Sequence, residues 1–555
     1  MPSLDLDRLI AGWRGPLMAA LVAFLAALPG LVETPPIDRT EARFAQASAQ
    51  MLESGDFSEP RFLQRPLHDL SPGAHWLQAT ATAVVSSAEA RDIWSYRLPS
   101  LLAAMLAAAA CAWGAARFWG QRAGTAAGIA LASTFLFSTE AYMAKADALL
   151  CALVTVAMAA LSRMYAAGRE GERLRRRWKL VFWLALAGAA LAKGPTGLLV
   201  AGLTLATLAL WDRRARWMAG LGWAWGLLLV AAAVSPWMLA VTVLTDGGYW
   251  TGVAGEIWHG LGGDGRHLAP PGYHTLAAPI LFFPATLLLV AAAIAGWKRR
   301  DETGVRFAVA WLVPAWILLE LTPGKLPHYA LPLYPALAWL VGAALSQNLS
   351  KAALWGGVAL SSAAALALTA GSLWLLGLYG NASDPIFANV AIVFLLAGVF
   401  VGAWFMAHRE VITALMLTCA AGVLAHAALS GGLLPQLKPL WPSRTVVRQL
   451  ERTGLEPRAG LVPGPVASAG FTAPSLVFLL GSETRVGGVR VAVEAAAEGR
   501  PAVVERRLTD AFQRELARRG LKAEPAAEVK GFDYARGEPI FLTIYRPLPP
   551  EGAVR

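Results

Sequence analysis

The sequence predicts an all-α polytopic membrane protein that carries a small α/β domain at its C-terminal end. Three observations lead there. Of 555 residues, 56% are hydrophobic and only 15% charged, with mean hydropathy +0.49. A soluble chain has roughly 25% charged residues and could not keep this much apolar surface from water. Apolar runs of about 18 residues or more, enough to cross ~30 Å of hydrocarbon as helix, recur over the first ~430 positions. From Pro435 the pattern changes to short alternating and amphipathic runs. Helix is the spanning form that fits, because a spanning barrel would alternate apolar and polar residues.

Taken in order, the runs number about thirteen. They cover 15–32, 98–116, 123–139, 144–162, 179–192, 195–211, 218–243, 276–296, 305–321, 329–346, 353–378, 386–406 and 410–430. The first is read as an uncleaved span, since acidic, proline-rich ETPPIDRTEARF follows it instead of a small-residue cleavage site. The stretch around Lys193-Gly194-Pro195 is either a broken pair or one overlong helix, because proline stops or kinks a helix. With a cytoplasmic N-terminus, the short inner loops hold Arg117 and Arg122, the Arg163 to Lys179 cluster, Arg213 and Arg216, Lys298 to Arg300, Lys351 and Arg409. Short outer loops hold little excess positive charge, as the positive-inside rule requires. An odd span count then places the C-terminus outside.

Two outer segments are long, 33–97 and 244–275. Within the first, Arg39 to Ser54 reads as an amphipathic helix with Phe44, Ala47, Met51 and Leu52 on one stripe and Gly55 as its stop. Such a helix is expected to lie along the membrane surface. In the second, Glu256, His259 and His267 match no established metal-ligand spacing. The chain thus divides into a transmembrane domain, 1–434, and a soluble domain, 435–555. The latter is expected to have helices near 443–453 and 508–519 and strands near 459–463, 501–505, 525–533 and 540–546. Cys111, Cys151 and Cys419 all fall inside apolar runs and read as buried thiols, not disulfides. The net charge of +11 lies mostly in short loops, where it sets orientation; it gives no reason to expect nucleic acid.

Ionisable side chains in or beside spans are costly, so they are the default functional candidates. On this topology they gather at the outer face. Asp38, Glu41 and Arg43 follow the first span. Glu140, Lys145 and Asp147 lie between the third and fourth, and Lys193 lies at the break KGPTG. Lys325, His328 and Tyr329 belong to the loop TPGKLPHY, and His75 to the first long loop. This mixture suits chemistry on a lipid-linked phosphate. Cations stabilise phosphate as a glycosidic bond breaks, and a carboxylate orients or deprotonates the acceptor hydroxyl. Asp38, Glu41 and Asp147 are therefore the candidate catalytic carboxylates. Arg43, Lys145, Lys193, Lys325, His328, Tyr329 and His75 are the candidate substrate-binding groups. Structural readings stand beside these: acids favoured in a first helical turn for Asp38 and Glu41, and an interfacial anchor for His75-Trp76.

The stretches PPIDRTEARFAQASAQMLESGDF, GAHWLQA, YRLPSLLAA, EAYMAKADALL, LAKGPTGLLV, SPWMLAV and GKLPHYALPLYPALA occur in this order. Together they resemble the bacterial membrane glycosyltransferases of the GT-C fold related to lipid A aminoarabinose transferases and protein O-mannosyltransferases. The resemblance implies a GT-C-like fold and a polyprenyl-phosphate sugar donor. It also implies a lipid or glycan acceptor, transfer on the periplasmic side of the inner membrane, and membrane lipids as neighbours. No cofactor is indicated, and a divalent-metal requirement stays open. Two positions depart from the pattern. The resemblance implies an Asp-Glu pair after the first span, its Asp catalytic, where this chain has Thr40-Glu41. It also implies a phosphate-binding Lys before a Pro where DLSPGAHW has Leu70 and Ser71. These departures motivate a second reading, a non-catalytic relative that binds lipid-linked glycan or scaffolds envelope assembly.

Overall fold

A computed structural model describes residues 10–67, 71–213, 216–262, 268–381, 385–534 and 536–548, with only the backbone of 256–262. Leu70 and His267 lie outside the described residues, as do the side chains of Glu256 and His259. Among the described residues, nine helices are long and apolar enough to cross a membrane. A bent pair, Tyr273–Leu281 with Ala285–Lys298 at 113°, raises the number to ten. The protein is a multi-pass membrane protein. Apolar side chains such as Leu228, Leu239 and Val243 of Trp223–Leu244 point outward, which in water would be untenable.

Two local devices explain why fewer long helices stand than runs were read. Ile93–Ser133 is two helices that meet at a sharp turn at Gly120, whose φ of 80° suits glycine. Past the turn, Gly124 and Gly128 press on Ala116 and Ala112, so runs 98–116 and 123–139 are antiparallel arms. The second device settles the break at Lys193. Arg176–Lys193 ends at Gly194, φ 60°, and Thr196–Asp212 starts after Pro195. Gly197 then packs on Ala189, where an added Cβ would lie 2.7 Å from a neighbouring carbon. Small residues at both hairpins let the arms touch. The most deeply packed spans are Asp147–Arg169 and Pro327–Leu345, with 78% and 83% of their apolar windows buried. They form the centre of the bundle, and their N-terminal ends carry Asp147 and His328.

The first outer segment folds as Thr40–Ser54, a short hairpin of β1 (Arg61–Phe62) and β2 (Arg65–Pro66), and Pro72–Val85. Gly55, φ 71°, ends the first helix with its N–H on Met51 O, as the stop residue predicted. The expectation of a membrane-surface helix is corrected. Its buried set extends beyond the stripe to Glu41, Ala45, Gln46, Ser48 and Ala49. Ala45 and Ala49 pack with Tyr96, Ala144 and Phe478, while Phe44 and Ala47 pack with Leu67, Ala74 and Ala146. Alanines along two sides let protein, not lipid, cover it.

Residues 442–548 build a five-stranded sheet in the order β4-β3-β5-β7-β6. The strands are β3 (Ala467–Ala469), β4 (Arg485–Gly487), β5 (Ala502–Glu505), β6 (Lys522–Asp533) and β7 (Glu538–Leu548). β3 runs parallel to β4 and β5, and β7 runs antiparallel to β5 and β6. Alternation divides two cores: Val503, Leu542 and Ile544 meet Val446, Leu450 and Leu476, while Val504 and Tyr545 meet Val493, Phe512 and Leu516. The strand expected at 459–463 is absent. Pro457–Ala459 is a 3₁₀ turn, and Pro463 and Pro465 lack the N–H groups a ladder needs, so the first strand waits until Ala467. Helices Pro474–Leu480 and Val489–Ala497 and strand β4 were not foreseen; each is too short to print a period.

Candidate active site

Six of the side chains singled out from the sequence meet at the N-terminal ends of the central spans. Lys193 donates to Asp147 Oδ1, and Lys145 Nζ lies 2.8 Å from Glu140 and 3.7 Å from Asp147. His328 closes the group, with Nδ1 3.9 Å from Glu140 and Nε2 4.0 Å from Asp147. Tyr329 stacks edge-on with His328, and Lys193 Nζ lies 5.7 Å from the centre of its ring. The acids are buried. Lys193 keeps 34% of its side chain exposed against 7% for Asp147, so it is the member an incoming anion meets. Its position follows from the break: the helix ends at Gly194, leaving the lysine at the rim. The order in the chain is Glu140, Lys145, Asp147, Lys193, His328; only folding makes them neighbours.

Glu41 plays a different part from the one assigned to it. Its carboxylate is fully buried and accepts four hydrogen bonds. Arg97 gives two, at 2.8 and 3.0 Å, and the backbone N–H groups of Ile37 and Ala144 give one each at 2.9 Å. Arg97 also donates to the carbonyls of Gly30, Leu31, Thr34 and Pro35, closing the C-terminal end of the first span. A carboxylate so satisfied is a brace, not a proton acceptor, and its role as a catalytic group is withdrawn. Its geometry is still useful. Ile37 precedes Asp38 and Ala144 precedes Lys145, so one buried carboxylate sets the spacing between Asp38 and the cluster.

Asp38 is half-buried beside the C-terminal sheet. Ser475 donates its N–H to Oδ1 at 2.7 Å and its hydroxyl to Oδ2 at 2.5 Å, and the Asp38 N–H donates to Tyr534 Oη at 2.6 Å. Burial lifts the Asp38 carboxyl from its ordinary 3.8 to about 6, against the Ser475 hydrogen bonds that pull it down; Asp533 adds to the rise and Arg39 opposes it. A carboxylate with a pKa near neutrality can take up and release a proton at working pH.

Two substrate-binding assignments are also corrected. Lys325 is buried and donates to the carbonyls of Ala269 and Thr322, at 2.9 and 2.5 Å. It ties the second outer segment to TPGKLPHY, beside the Leu268–Gly324 bridge. Neutral acceptors hold it away from the Asp147 cluster. His75 is buried, stacked on Phe44 at 4.6 Å with Nδ1 2.9 Å from Ser48 Oγ. Desolvation drops its pKa to about 3, so it carries no charge for a phosphate. Arg43 is half-buried on Thr40–Ser54, and Thr40 is exposed at the start of that helix. Sequence reasoning missed Arg97, Ser475 and Tyr534. Arg97 was legible as an arginine at a span end, but Ser475 and Tyr534 lie more than four hundred positions from Asp38 and gave no signal. Among the described residues, no three His, Cys, Asp or Glu side chains group as a metal site.

The fold is that of a multi-pass helical membrane protein with an added α/β unit. Residues 66–239 match the family described as dolichyl-phosphate-mannose-protein mannosyltransferase. An undecaprenyl phosphate-alpha-4-amino-4-deoxy-L-arabinose arabinosyl transferase of Pseudomonas paraeruginosa is 29% identical over 379 residues, covering 66% of this chain and 65% of its own. One from Erwinia tasmaniensis is 26% identical over 372 residues, covering 64% of each. The chain thus spans about 65% of the length of the first of these relatives. ArnT from Cupriavidus metallidurans in the apo state superposes with a TM-score of 0.74 at 20% identity, over 95% of this chain and 97% of that one. The same protein bound to undecaprenyl phosphate gives 0.72 at 20% identity and the same coverage. The fold is that of ArnT, and over about two thirds of its length the sequence is similar to the aminoarabinose transferases.

Proposed function

We propose that the protein is a glycosyltransferase that moves a sugar from a polyprenyl-phosphate donor to a lipid or glycan acceptor at the periplasmic face of the bacterial inner membrane. The observation that carries this reading is the Glu140–Lys145–Asp147–Lys193–His328 cluster, whose one partly exposed cation sits at the rim of the central spans. The likeness to transferases named for an undecaprenyl-phosphate sugar supports the donor class. About thirteen crossings, with residues 435–555 as a periplasmic domain, agree with the charge of the short loops.

In this reading the donor phosphate draws Lys193 from Asp147, with Arg43 as a second cation. Asp147 then keeps Lys145 and His328 beside it and stays ionised to bind the sugar. Tyr329 lines the same rim. Asp38 accepts the proton of the acceptor hydroxyl, whose oxygen bonds to the anomeric carbon. The bond from that carbon to the phosphate oxygen breaks, and polyprenyl phosphate leaves with the electron pair. Purified protein in lipid discs, given labelled polyprenyl-phosphate sugars and envelope lipid fractions, is expected to transfer label, and Lys193→Ala to lose that transfer. No transfer from any donor to any fraction overturns the reading.

Exposed Thr40, standing where the resemblance implies a carboxylate, favours the second reading of a non-catalytic binder. Saturable donor binding without turnover in the same discs would establish it.

A further inference from the structure

Asp38 belongs to the first outer segment, yet the hydrogen bonds described for it come from residues 475 and 534. Ser475 lies in the first turn of Pro474–Leu480, with its Oγ 2.6 Å from Ser443 Oγ on Pro442–Arg452. Since Ser475 has one hydroxyl proton and an ionised Asp38 claims it, Ser443 donates to Ser475 in turn. Tyr534 follows β6 and receives the Asp38 N–H, which fixes the main chain as Ser475 fixes the carboxylate. Beside Asp38 is a polar cavity of about 50 Å³ walled by Arg39, Thr472, Asp533 and Arg536. By the same measure one water needs about 10–15 Å³, so the cavity has room for a hydroxyl group beside the carboxylate.

We propose that Ser475 and Tyr534 are positioning residues for the acceptor-activating carboxylate, so that the C-terminal sheet unit completes the reaction site instead of merely covering it. The inference rests on the transferase reading given above. Two short hydrogen bonds to the carboxylate and one from its main-chain N–H hold Asp38 at the wall of a polar cavity that can take a hydroxyl group. In the step, the acceptor O–H proton passes to Asp38, the acceptor oxygen bonds to the anomeric carbon, and the phosphate oxygen departs with the bonding pair. Small losses of aim are costly in such a step, because a proton transfer needs a heavy-atom separation of about 2.6–3.2 Å. The charged and titratable groups around Asp38 are Arg39 on its own segment, Arg444 on Pro442–Arg452, and Asp533, Tyr534 and Arg536 at the sheet edge. None of them is altered by changing Ser475.

The test is the pH dependence of transfer by the full chain, with the labelled polyprenyl-phosphate sugar that the parent uses. Ser475→Ala is expected to lower kcat about tenfold or more with donor KM unchanged. It should also move the acid limb of the profile to higher pH, because the lost hydroxyl hydrogen bond favoured the charged form, while the main-chain N–H bond to Oδ1 remains. Tyr534→Phe should lower kcat less. Its melting temperature in detergent should match the parent's, which keeps the test available where Ser475→Ala fails to fold. Unchanged kcat and acid limb in the folded variants, with Asp38→Asn inactive, overturn the inference and leave the transferase reading standing. Full activity in Asp38→Asn overturns it as well. A parent that transfers no sugar removes the transferase reading and this inference with it.

Discussion

Glu41–Arg97 and Asp147–Lys193 are both carboxylate–cation pairs between distant segments, and the sequence alone made Glu41 and Asp147 candidates alike. The structure separates them by satisfaction and access. Glu41 and Arg97 are wholly buried, and their partners are fixed backbone groups as well as each other. Exchange with a ligand would strand several buried polar atoms at once. Asp147 and Lys193 join a group of further ionisable side chains, and Lys193 reaches the surface. An anion can replace one partner there while Lys145 and His328 remain. A buried charge whose partners are all fixed holds the fold, whereas one with spare ionisable neighbours and an open side can do chemistry.

The contrast can be broken most directly at Arg97. Arg97→Ala leaves Glu41 buried and unpaired, and is expected to cost about 3–5 kcal/mol. Thermal melting in detergent should show the variant unfolded or strongly destabilised, and near-parental melting would put Glu41 back among the exchangeable groups. Lys193→Ala should do the reverse. About 10²–10³-fold is expected to be lost in kcat/KM, with melting close to the parent's; a large stability loss would make this pair a second brace. At Asp38 the expected effect is a pH profile. The carboxylate works as a base when ionised, so kcat/KM should fall as pH drops through about 6, following its raised pKa. Asp38→Asn should remove about 10²-fold of the rate along with that limb. Lys325→Met is expected to cost about 1–3 kcal/mol, since two buried carbonyls lose a charged donor, and to change donor KM less than about twofold. A tenfold rise in KM would restore Lys325 to the donor site. Smallest of all, Thr40→Asp should alter stability by less than about 1 kcal/mol, as for an acid in an exposed first turn. Turnover should be unchanged; turnover appearing only in this variant would favour the non-catalytic reading of the parent.

Much of the site was legible because intramembrane charge is rare. Lys145, Asp147, Lys193 and His328 stand out against apolar runs, and loop charge sets which face they share. The roles of Glu41, His75 and Lys325 were not legible, because a partner such as Arg97, Phe44 or the Ala269 carbonyl comes from a segment whose packing the local pattern does not encode. The docking of the sheet unit on Asp38 was hidden for the same reason: a serine and a tyrosine gain meaning only once Pro474–Leu480 is laid against the first outer segment.

The sequence by itself determined the membrane class, the separation of runs 98–116 and 123–139, and the family likeness, because each rests on local composition; it left the stretch at Gly194-Pro195 open between a break and one long helix. Only the tertiary structure decided which charges are sealed and which are open, and that Asp38 answers to residues 475 and 534. Burial and hydrogen-bond satisfaction are properties of what surrounds a side chain, and those surroundings come from parts of the chain hundreds of residues away.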